Sequence, residues 1–143
     1  MTEVDRNTKS EALLLKSKVH RNLKKYMHNV TEDHEIGLRP HGTKYKSNFM
    51  FSHESKNYAV VCKFQFSHGS VDFKIPYEAI SLAHCITSST DLHGGFIVLS
   101  GNGYSKEMKR FLLRDLRKWI VVPPTLIITT YEDFIKRVRS HEL

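Results

Sequence analysis

The chain has 143 residues, 40% of them hydrophobic and 26% charged, and a formal net charge of +7. That length suggests one domain, residues 1–143, able to bury a single core. The composition excludes a disordered tail, a collagen-like repeat and a disulfide scaffold.

The first predicted element is an amphipathic helix over 8–30. Ala12, Leu15, Val19, Leu23, Tyr26 and Val30 recur close to a 3.6-residue period, with Thr8 or Ser10 as its cap. Three strand-like runs follow: a short Glu35–Pro40, then Asn48–Ser52, then Tyr58–Phe66. The last is continuously apolar in its first half, as a central strand should be, and alternates in its second. The polar link 52–57 fits a hairpin turn. After Ser67-His-Gly-Ser70 comes a second helix with Pro76 in its first turn and a stripe of Ile75, Ala79, Leu82, Ala83 and Ile86. Gly94-Gly95 opens a buried strand, Phe96–Leu99, which ends at Ser100-Gly-Asn-Gly103. A third helix is expected over Ser105–Ile120, stopped by Pro123-Pro124. A short strand, Leu126–Thr129, and a helix over Phe134–Val138, begun by a Thr130/Asp133 capping pattern, complete the order. Helix, three-strand meander, helix, strand, helix, strand, helix is an α/β class, a mixed sheet with helices on both faces.

No run approaches the roughly 20 apolar residues that cross a bilayer, so no membrane partner is expected. Residues 1–10 are polar and of mixed charge, unlike a signal peptide. Cys62 and Cys85, the two cysteines, sit in apolar runs and read as buried thiols of a reducing, cytoplasmic compartment. The nine histidines are scattered without zinc-like spacing; only His53 and His68 fall near the candidate site described next. Gly101-Asn-Gly103 lacks the phosphate-loop patterns and reads as a tight strand-to-helix turn.

Charge is uneven along the chain. Residues 1–30 hold seven Lys/Arg against three acids and residues 101–143 hold nine against five, whereas residues 61–100 hold two against three. Basic ends around a slightly acidic middle suit an anionic polymer. Lys63 follows an apolar run, and a lysine placed there needs an anionic partner or a functional reason. Gln65 shares its strand face. Hairpin pairing would bring Asn48 across from Lys63, and Asp72 and Glu78 flank the start of the second helix. Oxygen ligands and a lysine gathered at adjacent strand ends can bind a divalent cation and act on a phosphate.

Three strings resemble the PD-(D/E)XK nuclease superfamily, the restriction-endonuclease-like fold, across residues 8–140. Val61-Cys-Lys-Phe-Gln65 is similar to the end of the family's catalytic strand. Gly69-Ser-Val-Asp-Phe-Lys-Ile-Pro-Tyr-Glu78 looks like the Gly-Thr-Ala-Glu-Glu-Lys-Ile-Pro-Tyr-Glu segment of a restriction-enzyme-like subset. Phe96-Ile-Val-Leu-Ser-Gly-Asn-Gly103 is similar to the strand and turn that follow. The resemblance implies that Lys63 activates the attacking water and that Asp72, or Gln65, replaces a missing carboxylate as a catalytic group. Asp72, Asn48, Glu11 and Glu78 are the implied metal ligands. Two positions depart from the pattern: Asn48 stands where a metal-binding Asp belongs, and Val61, which cannot ligate, stands where the motif's Asp/Glu belongs.

The implied function is a Mg2+- or Mn2+-dependent endonuclease acting on DNA, in restriction, homing or junction resolution. A chain this short is expected to act as a homodimer or higher homo-oligomer. Lys16, Arg21, Lys24 and Lys25 of the first helix, and Lys106, Lys109 and Arg110 of the third, would hold the phosphate backbone. The alternative is a nuclease-fold module that binds nucleic acid without cleaving it, or a subunit of a larger complex.

Overall fold

A computed structural model describes residues 3–67 and 69–143, with side chains from Lys9 onward. In chain order the elements are α1 (Glu3–Tyr26), β1 (His28–Leu38), β2 (Lys44–His53), β3 (Lys56–Phe64), α2 (Val71–Ser88), β4 (Leu92–Ser100), α3 (Lys106–Arg110), β5 (Leu126–Thr130) and α4 (Tyr131–Ser140). The sheet order is β1-β2-β3-β4-β5. The β1–β2 and β2–β3 pairs are antiparallel; β3–β4 and β4–β5 are parallel. The expected mixed α/β fold is therefore present.

Helices cover both faces. On one face α2 sets Ile75, Ala79, Leu82 and Ile86 against Val61, Ile97 and Leu99. On the other, Val19 and Leu23 of α1 and Phe134 and Val138 of α4 pack against Phe51, Val60 and Phe96. Phe51, Phe96 and Phe134 are wholly buried, each worth roughly 1.5–3 kcal/mol of burial.

Several boundaries differ from expectation. α1 begins at Glu3, so Thr8 and Ser10 lie within the helix, and it ends at Tyr26 because Val30 belongs to β1. β1 runs eleven residues rather than a short Glu35–Pro40; it is a sheet edge, so most of its side chains are polar and exposed. β3 stops at Phe64. α2 starts at Val71, which puts Pro76 inside the helix, where its ring removes the N–H that would bond to the Asp72 carbonyl. The third helix is not one regular α-helix: α3 continues through a π-turn, Phe111–Asp115, and a 3-10 turn, Leu116–Lys118. At α4 the capping expectation holds, since the Asp133 N–H donates to Thr130 Oγ1 at 3.2 Å.

Candidate active site

β3 presents Val61 and Lys63 to the α2 side, and Gln65, one residue past its end, follows the same alternation. α2 answers with two buried acids, Asp72 and Glu78. Six residues apart, they lie roughly 120° around the helix axis and serve different neighbours.

Glu78 meets Lys63. The Lys63 Nζ donates to Glu78 Oε1 at 2.9 Å, and Arg39 Nη2 approaches the same oxygen at 3.3 Å. The Tyr45 hydroxyl donates to Oε2 at 2.6 Å. Arg39 also donates to Ser81 Oγ at 3.1 Å, and its guanidinium lies 4.4 Å from the centre of the Tyr45 ring. Arg39 reaches this place because the β1–β2 hairpin turns over α2. The turn is closed by the Arg39 N–H to the Thr43 carbonyl, 2.8 Å, and the Gly42 N–H to the Arg39 carbonyl, 2.9 Å. Gly42 has φ +102°, a left-handed geometry that favours glycine.

Burial raises the cost of ionising Glu78, but the hydrogen bonds from Tyr45 and Lys63 and the charges of Lys63 and Arg39 outweigh it. The carboxyl is held below its ordinary value. The Tyr45 hydroxyl is pushed far up, first by burial and then by the Glu78 charge. A depressed folded pKa stabilises the fold above the unfolded carboxyl range, around pH 4.3, and that stabilisation fades as pH falls through the folded value. Tyr45→Phe removes one donor to the carboxylate, so its acid unfolding transition should begin at higher pH than the wild type's. Circular dichroism against pH checks this; an unmoved acid limb contradicts it.

Asp72 meets Gln65. The Asp72 N–H donates to Gln65 Oε1 at 3.1 Å, and Gln65 Nε2 donates to the Gly103 carbonyl at 2.8 Å. The same amide lies 3.5 Å from Asp72 Oδ2, the outer limit of a hydrogen bond. Asp72 Oδ1 is buried without a partner among the described residues. The Tyr104 hydroxyl donates to the Lys63 carbonyl at 3.0 Å, and burial, then the Asp72 charge, drive its pKa upward. The Gly101–Gly103 turn sits against Gln65, which agrees with its reading as a tight turn. The Gln65 N–H donates to the Ser100 carbonyl at 3.0 Å, and the Gln65 carbonyl accepts from the Gly103 N–H at 2.7 Å.

Lys63, Gln65, Asp72 and Glu78 thus gather between the end of β3 and the first turns of α2. Asn48 does not join them. The register Phe49↔Val60 sets it opposite Val61 rather than Lys63. Its Oδ1 accepts the Cys62 N–H at 2.7 Å. Asn48 lines a groove of about 250 Å3 with Lys16, Ser17 and His20 of α1 and Glu32 of β1. Glu11 is exposed on α1. Among the described residues no group of three His, Cys, Asp or Glu is placed to hold a metal ion. His53 lies beside His141 with ring centres 5.2 Å apart and the rings tilted by 54°, at the end of β2 away from Tyr45, and His68 lies outside the described residues. Arg21, Lys24, Lys25, Lys106, Lys109 and Arg110 are exposed, and Lys16 is half-buried. Cys62 and Cys85 are free and buried; burial pushes the Cys62 thiol up to about 12. No helix among the described residues is long and apolar enough to cross a membrane.

Three participants had no sequence signal: Arg39, Tyr45 and Ser81. Tyr45 and Arg39 lie 33 and 39 residues from Glu78, and Ser81 lies 42 residues from Arg39, so only the tertiary fold brings them together.

A family model described as a PD-(D/E)XK nuclease superfamily domain matches residues 4–140. No curated protein sequence matches the chain. Among solved structures it is similar to AF1548, a protein of unknown function, at 10% identity and a TM-score of 0.50, covering 82% of this chain and 56% of that one. It is also similar to R.BspD6I2, the small subunit of the heterodimeric restriction endonuclease R.BspD6I, at 13% identity and a TM-score of 0.49, covering 90% of this chain and 68% of that one. The chain therefore spans little more than half of AF1548, and a likeness at that identity is one of fold. With the family match running from α1 to α4, this chain belongs to the PD-(D/E)XK nuclease superfamily.

Proposed function

We propose that the chain is a divalent-metal-dependent DNA endonuclease, and the contact between Lys63 and Glu78 carries the reading. Val61 leaves Lys63 without the motif's own acid; Glu78 supplies a carboxylate at 2.9 Å from a different element. The donor set present offers one open oxygen for a cation that prefers oxygen: Asp72 Oδ1 is buried and has no partner among the described residues, whereas the Gln65 side-chain carbonyl accepts the Asp72 N–H and both Glu78 oxygens are held by Lys63, Arg39 and Tyr45. Asn48, whose carbonyl is engaged, and the exposed Glu11 lie outside this set. Bound Mg2+ or Mn2+ would supply a more acidic water and a counter-charge for the phosphate.

The protein's own groups do the rest. Lys63 neutralises a phosphate oxygen or orients the attacking water. Tyr45 and Arg39 hold Glu78 ionised and fixed. The exposed cations of α1 and α3 bind the flanking backbone. Cutting both strands of a duplex calls for a homodimer or higher oligomer of so short a chain.

A second reading has its own support. Lys63, Arg39 and Tyr45 already engage both oxygens of Glu78, which suits a nucleic-acid-binding module or complex subunit that no longer cleaves. Supercoiled plasmid incubated with Mg2+, with Mn2+ or with EDTA separates the two. Nicking with a metal and none in EDTA is the expected result. Salt-sensitive binding without nicking under either metal establishes the binding module instead.

A further inference from the structure

In the run Asp72-Phe-Lys-Ile-Pro-Tyr-Glu78 the two acids turn inward, and the aromatic residue beside each turns out. Phe73 is 70% exposed and Tyr77 39% exposed. One helical turn apart, their side chains stand about 6 Å from each other along α2. Tyr77 is already fixed: it hydrogen-bonds His41, stacks on that imidazole, and has the Arg39 guanidinium 5.5 Å from its ring centre. That same guanidinium touches Glu78. Phe73, next in the chain to the buried Asp72, therefore has the more open ring of the two.

We propose that Phe73, supported by Tyr77 and Arg39, is a stacking platform for an unpaired base. The site would then take nucleic acid carrying single-stranded or distorted positions. The identity of the polymer rests on the nuclease reading; the platform itself rests on the exposed ring. Charge complementarity favours this occupant. Lys74 is exposed next to Phe73, and Arg39 and Lys63 line the inner edge. Among the described residues the outward face of α2 carries no exposed acid. An aromatic ring among cations suits a base with its phosphate, because every base offers a π-face and the cations meet the backbone. Further along α2 the surface changes character: Ile80, Val121 and Pro124 line an apolar groove without charge.

The test is metal-free binding, in EDTA, of labelled oligothymidine and of a duplex of the same length. Phe73→Ala should weaken the single strand about five- to hundredfold and leave the duplex unchanged. Phe73→Leu should behave like Phe73→Ala, whereas Phe73→Trp should restore affinity and show fluorescence quenching by the bases. Equal losses on both DNAs, no loss on either, or full affinity in Phe73→Leu would overturn the platform. So would sedimentation showing a dimer that Phe73→Ala dissociates, which would assign the ring to a second copy. Because metal is absent, failure to nick plasmid leaves this result standing.

Discussion

Lys63→Met should lower plasmid nicking at least about a hundredfold, the scale seen when a preorganised electrostatic group is removed from a reacting centre, while the chain stays folded. The fold survives because Glu78 is not left alone. Stranding a buried charge costs about 3–5 kcal/mol, but here Arg39 remains at 3.3 Å and Tyr45 at 2.6 Å. The methionine keeps the aliphatic stem. The expected stability loss is therefore about 1–2 kcal/mol, that of one charge-assisted hydrogen bond to a partly exposed ammonium. Urea unfolding and a nicking time course, run on the same preparation, read the two effects separately. Nicking that survives the substitution removes Lys63 from the chemistry. A collapse of the fold shows instead that Arg39 cannot hold Glu78 by itself.

Gly101→Ala should have the largest effect on stability, about 3–5 kcal/mol, by adding backbone overpacking to an unfavourable left-handed conformation. Gly101 has φ +98°, and a Cβ there would lie 2.2 Å from the Gln65 carbonyl oxygen and 2.7 Å from its carbon. Neither neighbour is the loose end of a side chain. To relieve the clash, the turn must leave Gln65, and Gln65 positions Asp72 through its amide. Denaturation midpoints against a surface control such as Lys118→Ala give the magnitude. A near-normal midpoint would mean that the turn can relax without the strand end.

The apolar periodicity of residues 12–23 and 75–86 and the run 58–62 made the helices and the central strand legible, since burial leaves its imprint on neighbouring positions. β1 was mostly illegible because an edge strand buries little and keeps polar side chains. The π-turn at Phe111–Asp115 was equally silent, for the apolar residues from Met108 to Leu116 still recur at spacings of three and four that an ordinary α-helix would also show. At the site, Lys63, Gln65, Asp72 and Glu78 were legible as chemistry but their pairing was not. Which acid faces the lysine depends on how α2 is rotated over β3, a tertiary quantity. Asn48 was misplaced because β2 and β3 pair in a register that sets it opposite Val61, where its side-chain carbonyl stands in for a strand acceptor.

The two faces of the sheet also differ in when they can be completed. β1, β2 and β3 pair with sequence neighbours, which brings their partners together early. The α1 face waits for α4, which begins roughly a hundred residues after α1 ends. Until α4 docks, Phe51 and Phe96 lack Phe134 and Val138, so that face is half covered during refolding. Closing so long a loop is an entropic expense that local contacts do not share. Refolding should therefore be two-paced, with the sheet gaining its hydrogen bonds before the α1–α4 face expels water, and aggregation should be most pronounced in the interval between the two.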